Sequence, residues 1–232
     1  MRNSTDTIQR YPLRHPENTN LHLYYDNTFE SLPIQEDKGP YIREYLSDLK
    51  HTIELALAEY PRVLAFRVDL RLPQGVELPD YAYTNRLISK FFDSFTKKIE
   101  YQQERVAERG YSRGCKVRYV WAREVGQAGR QHYHLLILLN RDAYYTMGRL
   151  RSKRVNIISR MQESWASALD ISVEQAKALV EIPENAEYLV NREVRQGAVD
   201  ELPKLFYRAS YLCKNATKTY GDRQRGFGTS RG

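Results

Sequence analysis

The run Gln131-His132-Tyr133-His134-Leu135-Leu136-Ile137-Leu138-Leu139 constrains the fold more than any other part of the chain. Beyond His134 both alternating sets of side chains are apolar, and a strand of that kind is stable only where each face is covered. It therefore belongs in the middle of a sheet with a layer on either side. Residues 116–125 form a second extended run, and Gly126-Gln127-Ala128-Gly129-Arg130 between the two has the length and glycines of a hairpin loop. Residues 62–72 form a third strand that alternates: Leu64, Phe66, Val68, Leu70 and Leu72 face one way, Arg67, Asp69 and Arg71 the other.

Helices surround these strands. Ile42, Tyr45, Leu46, Leu49, Ile53 and Leu57 recur at steps of three and four up to Pro61, and Leu87, Phe91, Phe95 and Ile99 recur at steps of four towards Ala107 and Gly110. Ile157, Ile158, Met161, Trp165 and Leu169 mark a third helix, and Ser172-Val173-Glu174-Gln175 has the form of a capping box opening a short one to about Val180. Residues 182–199 give no clear period. Leu202, Leu205, Phe206, Ala209 and Leu212 then predict a helix to about Thr217, with Asp200 as N-cap and Pro203 tolerated in the first turn. The fold class is α+β, a mainly antiparallel central sheet flanked by helices. Residues 1–40 read as an irregular N-terminal arm, residues 41–219 as one domain, and residues 220–232 as a flexible basic tail.

Composition narrows the partners. Lysine plus arginine exceed aspartate plus glutamate by 36 − 29 = 7, which favours an anionic partner such as nucleic acid. Arg67 and Arg71 on the polar strand face, with Lys218, Arg223, Arg225 and Arg231 near the C-terminus, are the candidate nucleic-acid contacts. A membrane partner is not expected, since no apolar run approaches the ~20 residues of a spanning helix. The start also lacks a secretory pattern, so the expected location is the cytoplasm. Cys115 and Cys213 lie far apart and suggest two reduced thiols. No glycine-rich phosphate loop is present, which argues against a nucleotide-driven motor.

The chemistry concentrates in two places. His132 and His134, two apart on a strand, project from one face and can grip one cation. With a loop of residues 126–130, Glu124 falls opposite His132 and shares that face. A one-residue slip would remove it, leaving Asp69 as the rival third ligand, and pairing of Glu124 with Arg123 or Arg130 is the structural alternative. Two imidazoles and a carboxylate leave coordination positions open, a catalytic arrangement suited to Mg²⁺ or Mn²⁺. The second place is Phe206-Tyr207-Arg208-Ala209-Ser210-Tyr211-Leu212-Cys213-Lys214, which sets Tyr207 and Tyr211 on one helix face with Lys214 three residues beyond Tyr211. An ammonium beside a phenol favours the nucleophilic phenolate.

A hydrophobic strand, a His-hydrophobic-His strand and a Tyr-x-x-x-Tyr-x-x-Lys helix, in that order, resemble the HUH endonucleases that initiate rolling-circle replication. In particular they resemble the inovirus gene II type replication proteins and their prophage-borne relatives. The matching blocks are residues 63–72, 132–139 and 207–214, with the terminal 227–232; Tyr133 is bulkier than the usual middle residue. The resemblance implies an RRM-like core in residues 41–219 and site-specific nicking and rejoining of single-stranded DNA at a replication origin. It further implies a 5′-phosphotyrosine intermediate on Tyr211, with Tyr207 as second tyrosine, and a host helicase as a further candidate partner. Two other classes stand beside it: a non-catalytic DNA-binding regulator on the same scaffold, and an RNA-binding sheet, against which Arg67, Asp69 and Arg71 on the strand face speak.

Overall fold

The computed structural model describes residues 12–111, 113–126, 131–150, 152 and 154–231. The expected hairpin loop, apart from Gly126, lies outside them. In chain order come four two-residue strands, β1 (Leu23–Tyr24), β2 (Thr28–Phe29), β3 (Leu32–Pro33) and β4 (Tyr41–Ile42), then helix α1 (Arg43–Glu59). There follow β5 (Arg62–Arg71), α2 (Asn85–Ala107), β6 (Arg118–Val125), β7 (Gln131–Asn140) and α3 (Ile157–Leu169). The chain continues through α4 (Val173–Lys177), β8 (Val180–Glu181), β9 (Glu187–Asn191), α5 (Leu202–Ser210) and β10 (Phe227–Thr229).

The main sheet is antiparallel throughout and runs β10-β6-β7-β5, with β8 and β9 both on the outer edge of β5. The two-sided apolar run of β7 thus sits centrally, as its composition requires. One face carries Leu64, Phe66, Val68, Leu70, Tyr133, Leu135 and Ile137 against α2 and α3, where Phe91 stacks on Phe95 at 5.9 Å and meets the edge of Trp165. The other face carries Val63, Ala65, Val120, Ala122, Leu136 and Leu138 against α1 and α5, closed by Leu46, Leu49, Phe206 and Leu212. Each of the Val, Leu, Ile and Phe side chains among them contributes roughly 1.5–3 kcal/mol by leaving water, so the two layers lock the register of β7 from both sides.

The sequence signal for a helix start is realised at α4, where Ser172 and Gln175 form a reciprocal capping box; at α5 the N-cap is Glu201, without a side-chain cap bond, and Asp200 one residue earlier accepts from the Leu202 amide at 2.9 Å.

Three stretches differ from expectation. Phe29 and Ile34, within the segment read as an irregular arm, are buried against Phe206 and the α1/α5 face; the short ladders there have no period long enough to signal a strand. Residues 182–199 contain β9, whose cross-strand partner β5 is distant in sequence. The C-terminal residues are not a free tail: Phe227–Thr229 pairs with β6, and Phe227 stacks on Tyr45 at 4.3 Å. Gly228 is required there, because a Cβ would come within 2.7 Å of the Trp121 ring.

Candidate functional site

Register places the polar groups. Glu124 on β6 pairs with His132 on β7, and Val125 with Gln131, while His134 pairs with Asp69 on β5. Period two then puts Glu124, His132, His134, Asp69 and Arg67 all on the α1/α5 face. There, one ligand atom each from Glu124, His132 and His134 lies within 4.8 Å of the others. His132 Nε2 stands 3.8 Å and His134 Nε2 3.4 Å from Glu124 Oε2.

The surroundings orient this group. His134 Nδ1 meets Asp69 Oδ1 at 2.7 Å, and Arg67 donates to the same oxygen at 3.2 Å. With Nδ1 so held, the tautomer and ring direction of His134 are set, and its buried Nε2 has no hydrogen-bond partner of its own. A carboxylate behind a histidine whose other nitrogen points, unpartnered, at a second carboxylate is the outer arrangement of a metal ligand. The residues present therefore fit a divalent cation. Asp69 bonds the far side of the His134 ring, and the group that could hold an ion comprises Glu124, His132 and His134.

Glu124 is 2% exposed and does not pair with Arg123, which turns to the opposite face and bonds Asp222 and Thr219. Lys214 Nζ lies 3.1 Å from its Oε2 and Lys218 Nζ 3.5 Å from its Oε1. Lys214 is fixed by a β-bridge to Tyr41, and the following amide donates to Pro40 O. Burial alone would raise the Glu124 carboxyl. His134, whose Nε2 stands 3.4 Å away, and the charges of Lys218 and Lys214 outweigh it and hold the group far below the ordinary carboxylate range. Asp69 is likewise lowered, against its burial, by His134 and Arg67. Lys218, wholly enclosed, is pushed down to about 8 by desolvation, against the pull of Glu124.

The structure separates the two tyrosines. α5 ends at Ser210, and Tyr211 opens a 3-10 turn (Tyr211–Cys213), short of the expected helix to Thr217. Tyr211 meets the His134 ring edge-on at 5.2 Å and lines a cavity of about 280 Å³ with His134, Asp69 and Arg67. Tyr207 is exposed and lines a different cavity, with Pro33, Tyr188 and Glu201. Lys214 does reach Tyr211, although differently from the expected phenol contact: its Nζ lies 3.6 Å from the ring centroid, on the face of the ring, while pairing with Glu124.

Of the six residues expected to touch nucleic acid, Arg67 is buried, donating to Leu135 O at 3.0 Å, because the α5 layer covers its strand face. Arg71 pairs with Glu181 at 2.6 Å, and Lys218 is committed to Glu124. Arg223, Arg225 and Arg231 are exposed. Gln35, Lys38 and Arg208, which also line the Tyr211 cavity, had no sequence signal, since Lys38 and Gln35 lie in the segment without periodicity.

A family model described as the YagK/YfjJ C-terminal domain matches residues 24–230. The chain belongs to this family. Two Escherichia coli (strain K12) relatives are the "Uncharacterized protein YfjJ", 32% identical over 202 residues covering 84% of this chain and 97% of that protein, and the "Uncharacterized protein YagK", 31% identical over 202 residues covering 84% and 96%. No solved structure matches the chain. The YagK/YfjJ match takes in every residue of the ligand group and both tyrosines, as well as Gln35, Lys38 and the β10 edge strand. Among the described residues of this YagK/YfjJ member, no helix is long and apolar enough to cross a membrane.

Proposed function

We propose that this chain is an HUH-type endonuclease and strand transferase of the rolling-circle initiator kind, acting on single-stranded DNA at an origin in the cytoplasm. The observation that carries the reading is the placement of Tyr211 against His134, whose Nε2 belongs to the Glu124–His132–His134 group. A nucleophile and a candidate Mg²⁺ or Mn²⁺ site thereby share one wall. When bound, such an ion supplies charge neutralisation and orientation of a phosphodiester. The chain's own residues do the rest. Asp69 holds the His134 ring; Lys214 pins the Tyr211 ring through its face and spans to Glu124. The phenol oxygen bonds phosphorus, the bond to the 3′ oxygen breaks, and the resulting 5′-phosphotyrosine is reversed by a 3′-hydroxyl, which rejoins the strand.

One observation favours a second reading, a DNA-binding regulator without cleavage: two lysines already neutralise Glu124, as they would in a site retained for structure. Covalent chemistry decides between them. The protein is incubated with Mn²⁺ and a random pool of single-stranded oligonucleotides, and a denaturation-resistant adduct is sought. The endonuclease reading expects an adduct that peptide mapping places on Tyr211. Tyr211→Phe, which deletes only the oxygen, should abolish it while binding to DNA persists, and Tyr207→Phe should retain the first nick. Absence of any adduct from the parent protein establishes the regulator instead.

A further inference from the structure

The cavity beside Tyr211 extends away from Glu124 towards β5 and is lined by Gln35, Lys38, Arg67, Asp69, Arg208 and Tyr211, with His134 and Pro183. Three cations and one carboxylate line it: Asp69 is engaged by His134 and Arg67, Lys38 pairs at 2.6 Å with the exposed Asp37 outside the lining, and Arg208 gives one donor to Glu184 O at 3.3 Å. Arg67 is 4% exposed; its bonds to Leu135 O, Arg208 O and Asp69 account for only part of its five donors. The Arg208 guanidinium lies close enough to repel that of Arg67. Gln35 fastens the turn carrying Lys38 to the carbonyls of Tyr207 and Arg208, which puts Lys38 on the wall of the same cavity. A pocket of this size that holds converging guanidinium and ammonium groups beside a nucleophile is built for a compact anion.

We infer that this cavity seats a backbone phosphate of the strand, adjacent to the one that Tyr211 attacks. The inference rests on the endonuclease reading for its substrate and on the cavity's geometry for its site. β5 and β6 flank β7, so the cavity and the Glu124 side of the ligand group are two strand spacings apart, on the order of 10 Å. The attacked phosphate lies between these limits, beside Tyr211 and His134, so the next phosphate of the strand has the shorter step from there to the β5 side. The strand accordingly crosses the sheet from β6 to β5, perpendicular to β7, and the cavity sets how far along it the nick falls.

The test uses thymidine 3′,5′-bisphosphate as probe, titrated into the full chain by calorimetry in EDTA so that the ligand group stays out of the measurement. The expected result is saturable binding that the Lys38→Gln/Arg208→Gln double variant weakens by at least about ten-fold, that Lys38→Arg/Arg208→Lys restores in large part, and that Lys177→Gln, at an exposed lysine outside the cavity, leaves unchanged. Both altered side chains are at the surface of the cavity, and an unshifted thermal midpoint shows the fold retained. No saturable binding by the parent, or binding that the double variant leaves intact, overturns the inference. The two readings fail separately: a parent that binds the bisphosphate but forms no oligonucleotide adduct keeps the cavity and loses the endonuclease, while adducts without bisphosphate binding do the reverse.

Discussion

The two faces of the central sheet are made from the same strands and obey different rules. Under α2 and α3, β5 and β7 present Phe66, Val68, Leu70, Tyr133, Leu135 and Ile137 to an apolar layer along nearly their whole length. Under α1 and α5 the same strands start that way, with Val63, Ala65, Leu136 and Leu138, then change to Arg67, Asp69, His134 and His132 where α5 gives way to its 3-10 turn. Burying five or more ionisable groups in one corner costs desolvation that an apolar repacking would avoid. Departures from local consistency of this kind collect at functional sites, which is why the proposed chemistry is assigned to the corner of the second face and not to the first.

The largest expected effect breaks the first face. Phe91→Ala removes a ring with no exposure that touches Phe92, Phe95 and Trp165, and should cost about 3–5 kcal/mol by denaturant unfolding. Adduct formation per folded molecule should stay near the parent value. A proportionate loss of specific activity would show that the two faces are not independent.

The division was only half visible in the sequence. The apolar face was legible because period-two and period-four spacings in residues 62–72, 87–99 and 131–139 report local geometry. The Glu124–His132 pairing was legible too, since the loop length fixed the hairpin register. What sequence could not show was cover. Alternation placed Arg67 opposite Phe66 but could not say that α5 would enclose it. Lys218, beyond the last periodic residue, looked like part of a solvated basic end and instead folds onto Glu124. Ile34 and Phe227 reach their places through contacts distant in sequence, which no local period encodes.

Breaking the second face should look different. His132→Ala with His134→Ala removes two of three candidate ligands while both apolar layers stay whole, so the thermal midpoint without metal should fall less than for Phe91→Ala, by what Asp69 and Glu124 lose with the His134 ring. The stabilisation expected on adding Mn²⁺, which follows from binding to the folded state alone, should vanish, and adducts with it. A double variant that still gains stability from Mn²⁺ would mean the ion binds elsewhere.

Acid sharpens the comparison further. Glu124 and Asp69 both have folded values below their ordinary ones, each held down against burial by His134 and neighbouring cations. Their contribution to stability is therefore complete above the unfolded carboxylate range of about 4, and is lost progressively as pH falls through the folded values. Stability measured from pH 6 downwards should drop below about pH 4–5. Glu124→Gln/Asp69→Asn should flatten that limb, whereas Phe91→Ala should lower the curve at every pH without changing its shape. An acid limb as steep in the Gln/Asn variant as in the parent would place the responsible carboxylates outside the site.

The smallest effect concerns the C-terminal arginines, now seen on an anchored segment. Arg225 N donates to Asn85 Oδ1 at 2.6 Å and Gln224 Oε1 accepts from the Asn85 amide at 2.7 Å, so this stretch is tied to the start of α2 as well as to β6. Deleting residues 221–232 would remove β10 and Phe227 from the core along with the charges, which makes truncation a poor probe. Changing only Arg223, Arg225 and Arg231 to Gln leaves the edge strand in place. If these exposed side chains meet phosphates, the slope of log affinity against log salt for single-stranded DNA should fall by roughly 0.7 for each phosphate no longer neutralised, with all sequences weakened alike. On the endonuclease reading, which assigns the choice of bond to the Tyr211 corner, the ratio between a nicked and an un-nicked sequence should not change. A slope equal to the parent's would remove the C-terminus from the DNA path, and altered sequence preference would show that this edge reads bases as well.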